Sequence, residues 1–215
     1  MTRATQPEER RRSAAGAADF DDGVRRYNDT RFNAIAVKVF PGEHYVTRDP
    51  REMLVTVLGS CVAACIRDPL AGIGGMNHFM LPESADGQWG TASASLRYGN
   101  FAMEQLINDI LKGGGRRERL EIKVFGGGNV LESHTHIGSS NADFVETYLA
   151  AEKLPIAAAD LRGRYPRRVH YFPLIGRAMS LELRRQQDAV AVGAEEKYKS
   201  RLKAEPDLSG SAELF

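Results

Sequence analysis

Only two of the 215 residues are cysteine, and they stand four apart. Such a pair cannot staple a small disulfide fold, and it suits a reducing compartment. An excess of charge of either sign is also missing: 29 Lys and Arg face 28 Asp and Glu, for a formal net charge of +1. That balance removes the general electrostatic case for nucleic acid or an anionic membrane as partner. No uncharged apolar run approaches the ~18–20 residues of a membrane span. The charged N-terminus has no apolar stretch behind it, so no secretory signal is expected. These absences point to a cytoplasmic protein without membrane insertion. At 42% hydrophobic and 27% charged residues, the composition is that of an ordinary folded domain with tails.

What is present concentrates in Leu54–Pro82, which is apolar, punctuated by glycine, and holds both cysteines. Met53–Leu58 is rich in β-branched residues and reads as a buried strand. Gly59-Ser60 interrupts it, and Cys61–Ile66 resumes before Arg67-Asp68-Pro69. Asp68-Pro69 suits a tight turn, and Gly72 can take the positive φ that closes it. Ile73–Leu81 then reads as a returning strand that ends at Pro82. A turn centred on Pro69-Leu70 sets Cys61 directly opposite His78, so that thiol and imidazole share one face. The competing local reading is a helix starting at Ser60, which places Cys61 at a helix N-terminus. Both geometries favour a thiolate.

A free thiol is only a few per cent ionised at neutral pH, and a neighbouring imidazolium raises that fraction. Gly59-Ser60 lets the chain turn sharply and aim backbone N–H groups at the oxyanion of an acyl intermediate. A third polar group ordinarily orients the base, and Thr56 is the nearest candidate. A cysteine in an apolar run is by default a small hydrophobe. Cys65 is read that way; Cys61 is set apart by its Gly-Ser and its cross-hairpin histidine.

Thr56, Gly59-Ser60-Cys61, Asp68-Pro69 and Gly74-Gly75-Met76-Asn77-His78-Phe79-Met80-Leu81-Pro82 together resemble the signature of the chemoreceptor glutamine deamidase family, CheD. The resemblance covers roughly Ala34 to Arg184. It implies Cys61 as nucleophile, His78 as general base and acid, and Thr56 as third member of the site, with no cofactor. Gly59, Ser60 and Asn77 are the candidate oxyanion- and substrate-binding residues. Chemoreceptor cytoplasmic domains are the implied substrate, and a CheC-type phosphatase the implied partner. Some family members carry one more residue between the Thr and the Gly-Ser-Cys. With the five-residue offset found here, a regular strand would turn Thr56 away from Cys61, so a bulge or bend at Leu58-Gly59 is expected. A non-catalytic binding module and a cysteine protease are the alternative functions.

Around this stretch, residues 1–31 read as a disordered, charge-rich extension. Residues 32–185 read as the deamidase-like domain and 186–215 as a polar tail. Ala34–Phe40 reads as a first strand. Residues 83–94, with the sole Trp89, read as a loop near the site. Tyr98–Lys112 has a helical apolar face and ends at Gly113-Gly114-Gly115. Leu120–Phe125 alternates as a strand does. The following Gly126-Gly127-Gly128-Asn129 lacks the spacing of a phosphate loop and reads as a close backbone approach beside the hairpin. His134 and His136 have no neighbours that complete a metal set, so no metal is expected. Ser140 or Asn141 is a candidate cap for a helix reaching Lys153. Ile156–Ala159 reads as a short strand, and Val169–Leu174 with Ala178–Leu183 as a second hairpin. The expected fold is one α/β domain, a layered sandwich of mixed and antiparallel sheet with two main packed helices.

Overall fold

A computed structural model describes residues 25–81, 94–130, 137–184, 197, 198 and 200. Among the described residues, ten strands form two five-stranded sheets. The first has the order β1-β2-β4-β9-β10 and the second β3-β6-β5-β7-β8. The strands are β1 (Arg26–Asp29), β2 (Ala34–Lys38), β3 (His44–Thr47), β4 (Glu52–Leu58), β5 (Val62–Asp68), β6 (Ile73–Asn77), β7 (Glu121–Gly126), β8 (Ile156–Leu161), β9 (Arg167–Phe172) and β10 (Arg177–Glu182). The two long helices among the described residues are α1 (Ala94–Lys112) and α2 (Ile137–Ala151). Most strand pairs are antiparallel, while β2–β4 and β7–β8 run parallel. The α/β layered sandwich expected from the sequence is the observed architecture.

Strand periodicity explains the layering, because alternate side chains point to opposite faces. Along β5, Val62, Ala64 and Ile66 join one buried cluster with Met103, Leu106 and Ile110 of α1 and Val145 and Leu149 of α2. Cys61, Ala63 and Cys65 join a different cluster with Leu54 and Leu58 of β4, Val37 of β2, and Val169 and Tyr171 of β9. The second sheet therefore carries the helices on one face and packs on the first sheet with the other. Every residue of β4 is buried, as a central strand covered on both faces requires.

Several expectations need correction. The folded part starts before residue 32, since Arg26–Asp29 pairs with β2 as an edge strand. Residues Val62–Ile66 are extended, which removes the helical alternative. The hairpin register also differs: Cys65 opposes Met76 and Val62 opposes Phe79. Cys61 thus falls opposite Met80, two positions from His78. The cause is a longer turn, Pro69 to Gly72, in which the Asp68 carboxylate accepts the N–H groups of Leu70 and Ala71 at 2.9 and 3.0 Å. Gly72 has the positive φ expected of it, +60°. α2 starts at Ile137, so Asn141 lies inside the helix and does not cap it. Within the segment read as a polar tail, Tyr198 is buried in the inter-sheet cluster, and its hydroxyl is hydrogen-bonded to that of Tyr98. Pro82, Trp89, His134 and His136 lie outside the described residues.

Candidate active site

Thr56 and His78 meet in the layer between the two sheets, and Cys61 belongs to the buried cluster of that layer. Thr56 comes from β4 of one sheet, on the same face as Leu54 and Leu58. Cys61 immediately precedes β5 of the other sheet and packs in one cluster with Ala63 and Cys65. Between them the backbone bends at Gly59 and Ser60 and crosses from sheet to sheet. An even-numbered residue on β4 and an odd-numbered one on β5 can therefore face the same gap. The parity conflict expected for a single continuous strand does not arise.

His78 follows β6. In the observed register it stands diagonally across from Cys61. Diagonal neighbours in an antiparallel pair have Cα atoms roughly 7–8 Å apart, within reach of a long or aromatic side chain. Its backbone is held by the β3 side, donating to Glu43 O at 2.9 Å and accepting from Gly42 N–H at 2.8 Å. Thr56 Oγ1 lies 2.8 Å from His78 Nδ1 and 2.8 Å from the carbonyl oxygen of Val39. A hydroxyl has one hydrogen, and Val39 O can only accept. When Thr56 donates to Val39, Nδ1 must be the protonated ring nitrogen, donating to Thr56 Oγ1. The lone pair then resides on Nε2, the tautomer a general base requires. Cys61 and Thr56 are 0% exposed and His78 is 1% exposed.

The remaining expected residues are placed as follows. The Gly59 carbonyl accepts the Gly128 N–H at 2.8 Å, and the Cys61 carbonyl accepts the Gly127 N–H at 2.7 Å. Ser60 Oγ contacts Met80 Sδ at 3.6 Å. Asn77 faces the helix layer, on the opposite side of β6 from His78. Its Oδ1 accepts the Ala64 N–H at 2.8 Å and its Nδ2 donates to Ala102 O of α1 at 3.0 Å. Asn77 thus ties hairpin to helix and is not brought together with the thiol. Cys65 lies in the inter-sheet core, where burial pushes its thiol well above the ordinary range.

The glycine run after β7 is the close approach expected of it. A Cβ on Gly126, whose φ is +105°, would stand 2.2 Å from Cys61 O. Only a residue without a side chain lets β7 lie this close to the nucleophile's own carbonyl. Sequence reasoning did not assign Asn141 to the site. Its side chain donates to Ser60 O at 2.8 Å and accepts the Leu81 N–H at 2.8 Å. The available signal was an asparagine that its helix does not need as a cap. Among the described residues, no group of three or more His, Cys, Asp or Glu side chains is arranged to hold a metal ion. None of the described helices is long and apolar enough to cross a membrane.

Known proteins resemble this chain closely. Residues 80–181 match the family model described as CheD chemotactic sensory transduction. That segment starts two residues after His78, so the match is carried by the scaffold around the site. A protein of Rhodopseudomonas palustris named probable chemoreceptor glutamine deamidase CheD is 66% identical over 98% of both chains. Proteins of the same name from Saccharophagus degradans and Cupriavidus pinatubonensis are 52% and 53% identical, each over 89% of this chain and 90% of the relative. Among solved structures, Bacillus licheniformis protein YfiH covers 56% of this chain and 49% of its own at 11% identity and a TM-score of 0.36, too distant a likeness to bear on fold or function.

Proposed function

The chain belongs to the CheD family, and from that membership we propose that it hydrolyses the side-chain amide of glutamines in chemoreceptor cytoplasmic domains, using Cys61 as nucleophile. The observation that supports this reading is the Thr56–His78 hydrogen bond, because it orients the imidazole and, when Thr56 donates to Val39, leaves the lone pair on Nε2 in the layer that holds Cys61. His78 takes the thiol proton, and the Cys61 sulfur attacks the glutamine Cδ. Backbone N–H groups around Ser60-Cys61 stabilise the resulting oxyanion. The C–N bond then breaks as His78 returns the proton to the departing ammonia, leaving a thioester. His78 next deprotonates water, which attacks the thioester carbon. The C–S bond breaks, glutamate leaves, and the thiol is restored.

The same route accepts a glutamyl methyl ester, with methanol leaving in place of ammonia. Burial excludes bulk water until a glutaminyl side chain enters, so covering side chains must move to admit it. Converting a neutral glutamine to a carboxylate on a receptor helix alters local electrostatics and with it the signalling balance. This reading assigns the protein to the cytoplasm, where receptor signalling domains lie, with a CheC-type phosphatase as a second partner.

The test is mass spectrometry of a receptor cytoplasmic fragment incubated with the protein and with its Cys61→Ala variant. The expected result is glutamine-to-glutamate conversion by the wild type alone, with ammonia released and no new peptide termini. Binding of the fragment without conversion by either protein would favour a non-catalytic receptor-binding module.

A further inference from the structure

β6 runs between β3 and β5, and its ladder with β5 breaks beside His78. Paired residues run from Asp68–Ile73 to Cys65–Met76, and the same register returns at Val62–Phe79. At the break, Ala63 and Ala64 face His78 and Asn77. Val62 and Phe79 exchange both main-chain hydrogen bonds, at 2.9 and 3.0 Å. Hydrogen-bonded pairs alternate along an antiparallel ladder, so Ala64 and Asn77, two positions on, form the next such site. There the Ala64 N–H goes to the side-chain Oδ1 of Asn77 at 2.8 Å. A carboxamide oxygen thus does what a main-chain oxygen does elsewhere in the ladder.

The other end of the carboxamide is tied to the helix layer. Asn77 Nδ2 donates to Ala102 O at 3.0 Å and to Met103 Sδ at 3.5 Å, both on α1. Asn77 is 2% exposed, and a buried amide must find such partners. Upstream, Gly74 and Gly75 give β6 a permissive backbone, so the strand's own stiffness does not fix its course to His78. β3 holds the His78 peptide from one side, through Glu43 O and Gly42 N–H. On the β5 side, the tie at the preceding residue is a side chain, which substitution can remove. Thr56 orients the imidazole ring, but a ring's orientation does not locate the backbone that carries it. We propose that Asn77 is a positioning residue for the base: its carboxamide, set into the β5–β6 ladder and anchored on α1, fixes how far the His78 backbone stands from β5 and hence the reach of the imidazole to Cys61. This rests on the roles of Cys61 and His78 proposed above.

The test takes Asn77→Ala and Asn77→Asp in the full chain, each alone and combined with His78→Ala. Asn77→Ala removes all three bonds. Asn77→Asp keeps an acceptor for Ala64 N–H but sets an oxygen against Ala102 O. One readout is steady-state deamidation of a receptor cytoplasmic fragment. The other is the rate of iodoacetamide alkylation of each cysteine, located by mass spectrometry, which stays measurable where His78→Ala has abolished turnover. In Asn77→Ala, kcat should fall about 100-fold, the scale of a misplacement of about 1 Å, with KM within about twofold of wild type. Cys61 alkylation should slow as well, because the imidazole that favours its thiolate is displaced. In the His78→Ala background, Asn77→Ala should slow it no further, since a residue that acts through another is not additive with it. Cys65 should stay protected throughout. Should Asn77→Ala not fold, Asn77→Asp carries the same readouts, with a fall in kcat of about tenfold. The proposal is overturned if a folded Asn77→Ala keeps kcat within about threefold of wild type, or if the Asn77 and His78 substitutions slow alkylation additively. It is equally overturned if Cys65 becomes reactive along with Cys61, since Asn77 would then only support the core. Failure of the underlying reading looks different: the wild type would not convert glutamine, or His78→Ala alone would leave Cys61 alkylation unchanged, and the proposal would fall with it.

Discussion

Thr56 and His78 meet at 2.8 Å across the interface of two sheets, one side chain from each, and the Thr56 hydroxyl also reaches Val39 O. A buried imidazole is thereby held in one orientation by a group that carries no charge.

Thr56→Val keeps the side-chain volume and removes the hydroxyl. We expect kcat for glutamine hydrolysis to fall by roughly one to two powers of ten, part of the ~10²–10⁴ that positioned proton transfer supplies. Stability should also fall, by about 1–3 kcal/mol, because Val39 O and His78 Nδ1 lose a buried partner. Thr56→Ser should restore most of the activity. Kinetics and urea denaturation check both, and a Thr56→Val variant as active as Thr56→Ser would remove Thr56 from the site.

The two cysteines should separate cleanly. Cys61→Ala and His78→Ala should each abolish turnover, whereas Cys65→Ala should retain it at a stability cost of about 1 kcal/mol. Because burial pushes the Cys65 thiol up, iodoacetamide near neutral pH should label Cys61 first and Cys65 only on unfolding. Equal loss of activity on replacing either cysteine, with folding intact, would refute this division.

Below pH 4 the hairpin turn should weaken. Burial pushes the Asp68 carboxyl up, but the Arg119 guanidinium and the N–H groups of Ala71, Arg116 and Leu70 outweigh it and hold the pKa at about 2, down from 3.8. A depressed carboxylate stabilises the fold fully above its unfolded value, and that contribution is lost as pH falls through the folded value. Melting temperature should therefore drop between about pH 4 and pH 2. In Asp68→Asn this segment of the pH profile should flatten and the melting temperature at pH 7 should be lower. An unchanged profile would show that the turn does not depend on the charge.

A separate window belongs to His170 on β9. Burial, with Arg168 and Arg31 nearby, pushes it down from 6.5 to about 4, against the opposing pull of Asp29. Its ring centroid lies 5.2 Å from that of Phe32, which fits a neutral imidazole. The folded state resists protonation, so stability is full above pH 6.5 and declines as pH falls toward 4. His170→Phe should remove that decline and leave the lower Asp68 window intact. Thermal melts from pH 7 to pH 4 decide it.

The parts of the fold legible in the sequence are those written in local pattern. The α1 stripe, the alternation of β7 and the apolar hairpin all appear in the structure close to their expected places. β1 and β3 were missed because each is four residues long and largely half-exposed, so neither shows a clean alternation. Their pairing depends on partners elsewhere in the chain. The hairpin register was off by two because the Asp68 carboxylate builds a longer turn than Pro69-Leu70 alone suggests. Thr56 seemed out of phase with Cys61 because phase was counted along one strand, whereas the two residues belong to different sheets. Asn141 resembled a helix cap because its actual partners, Ser60 and Leu81, are remote in sequence and no local rule connects them.

Cys61 and Cys65 lie on the same face of one extended segment, four residues apart. At ~3.3 Å per residue their Cα atoms are about 13 Å apart. A disulfide needs Cα atoms within about 7 Å. A sulfenic acid formed at Cys61 would therefore find no resolving thiol in its own chain, which has no other cysteine. Under oxidative stress, recovery of Cys61 would depend on a small-molecule thiol or another protein, making the enzyme's working lifetime a function of the cell's reducing capacity.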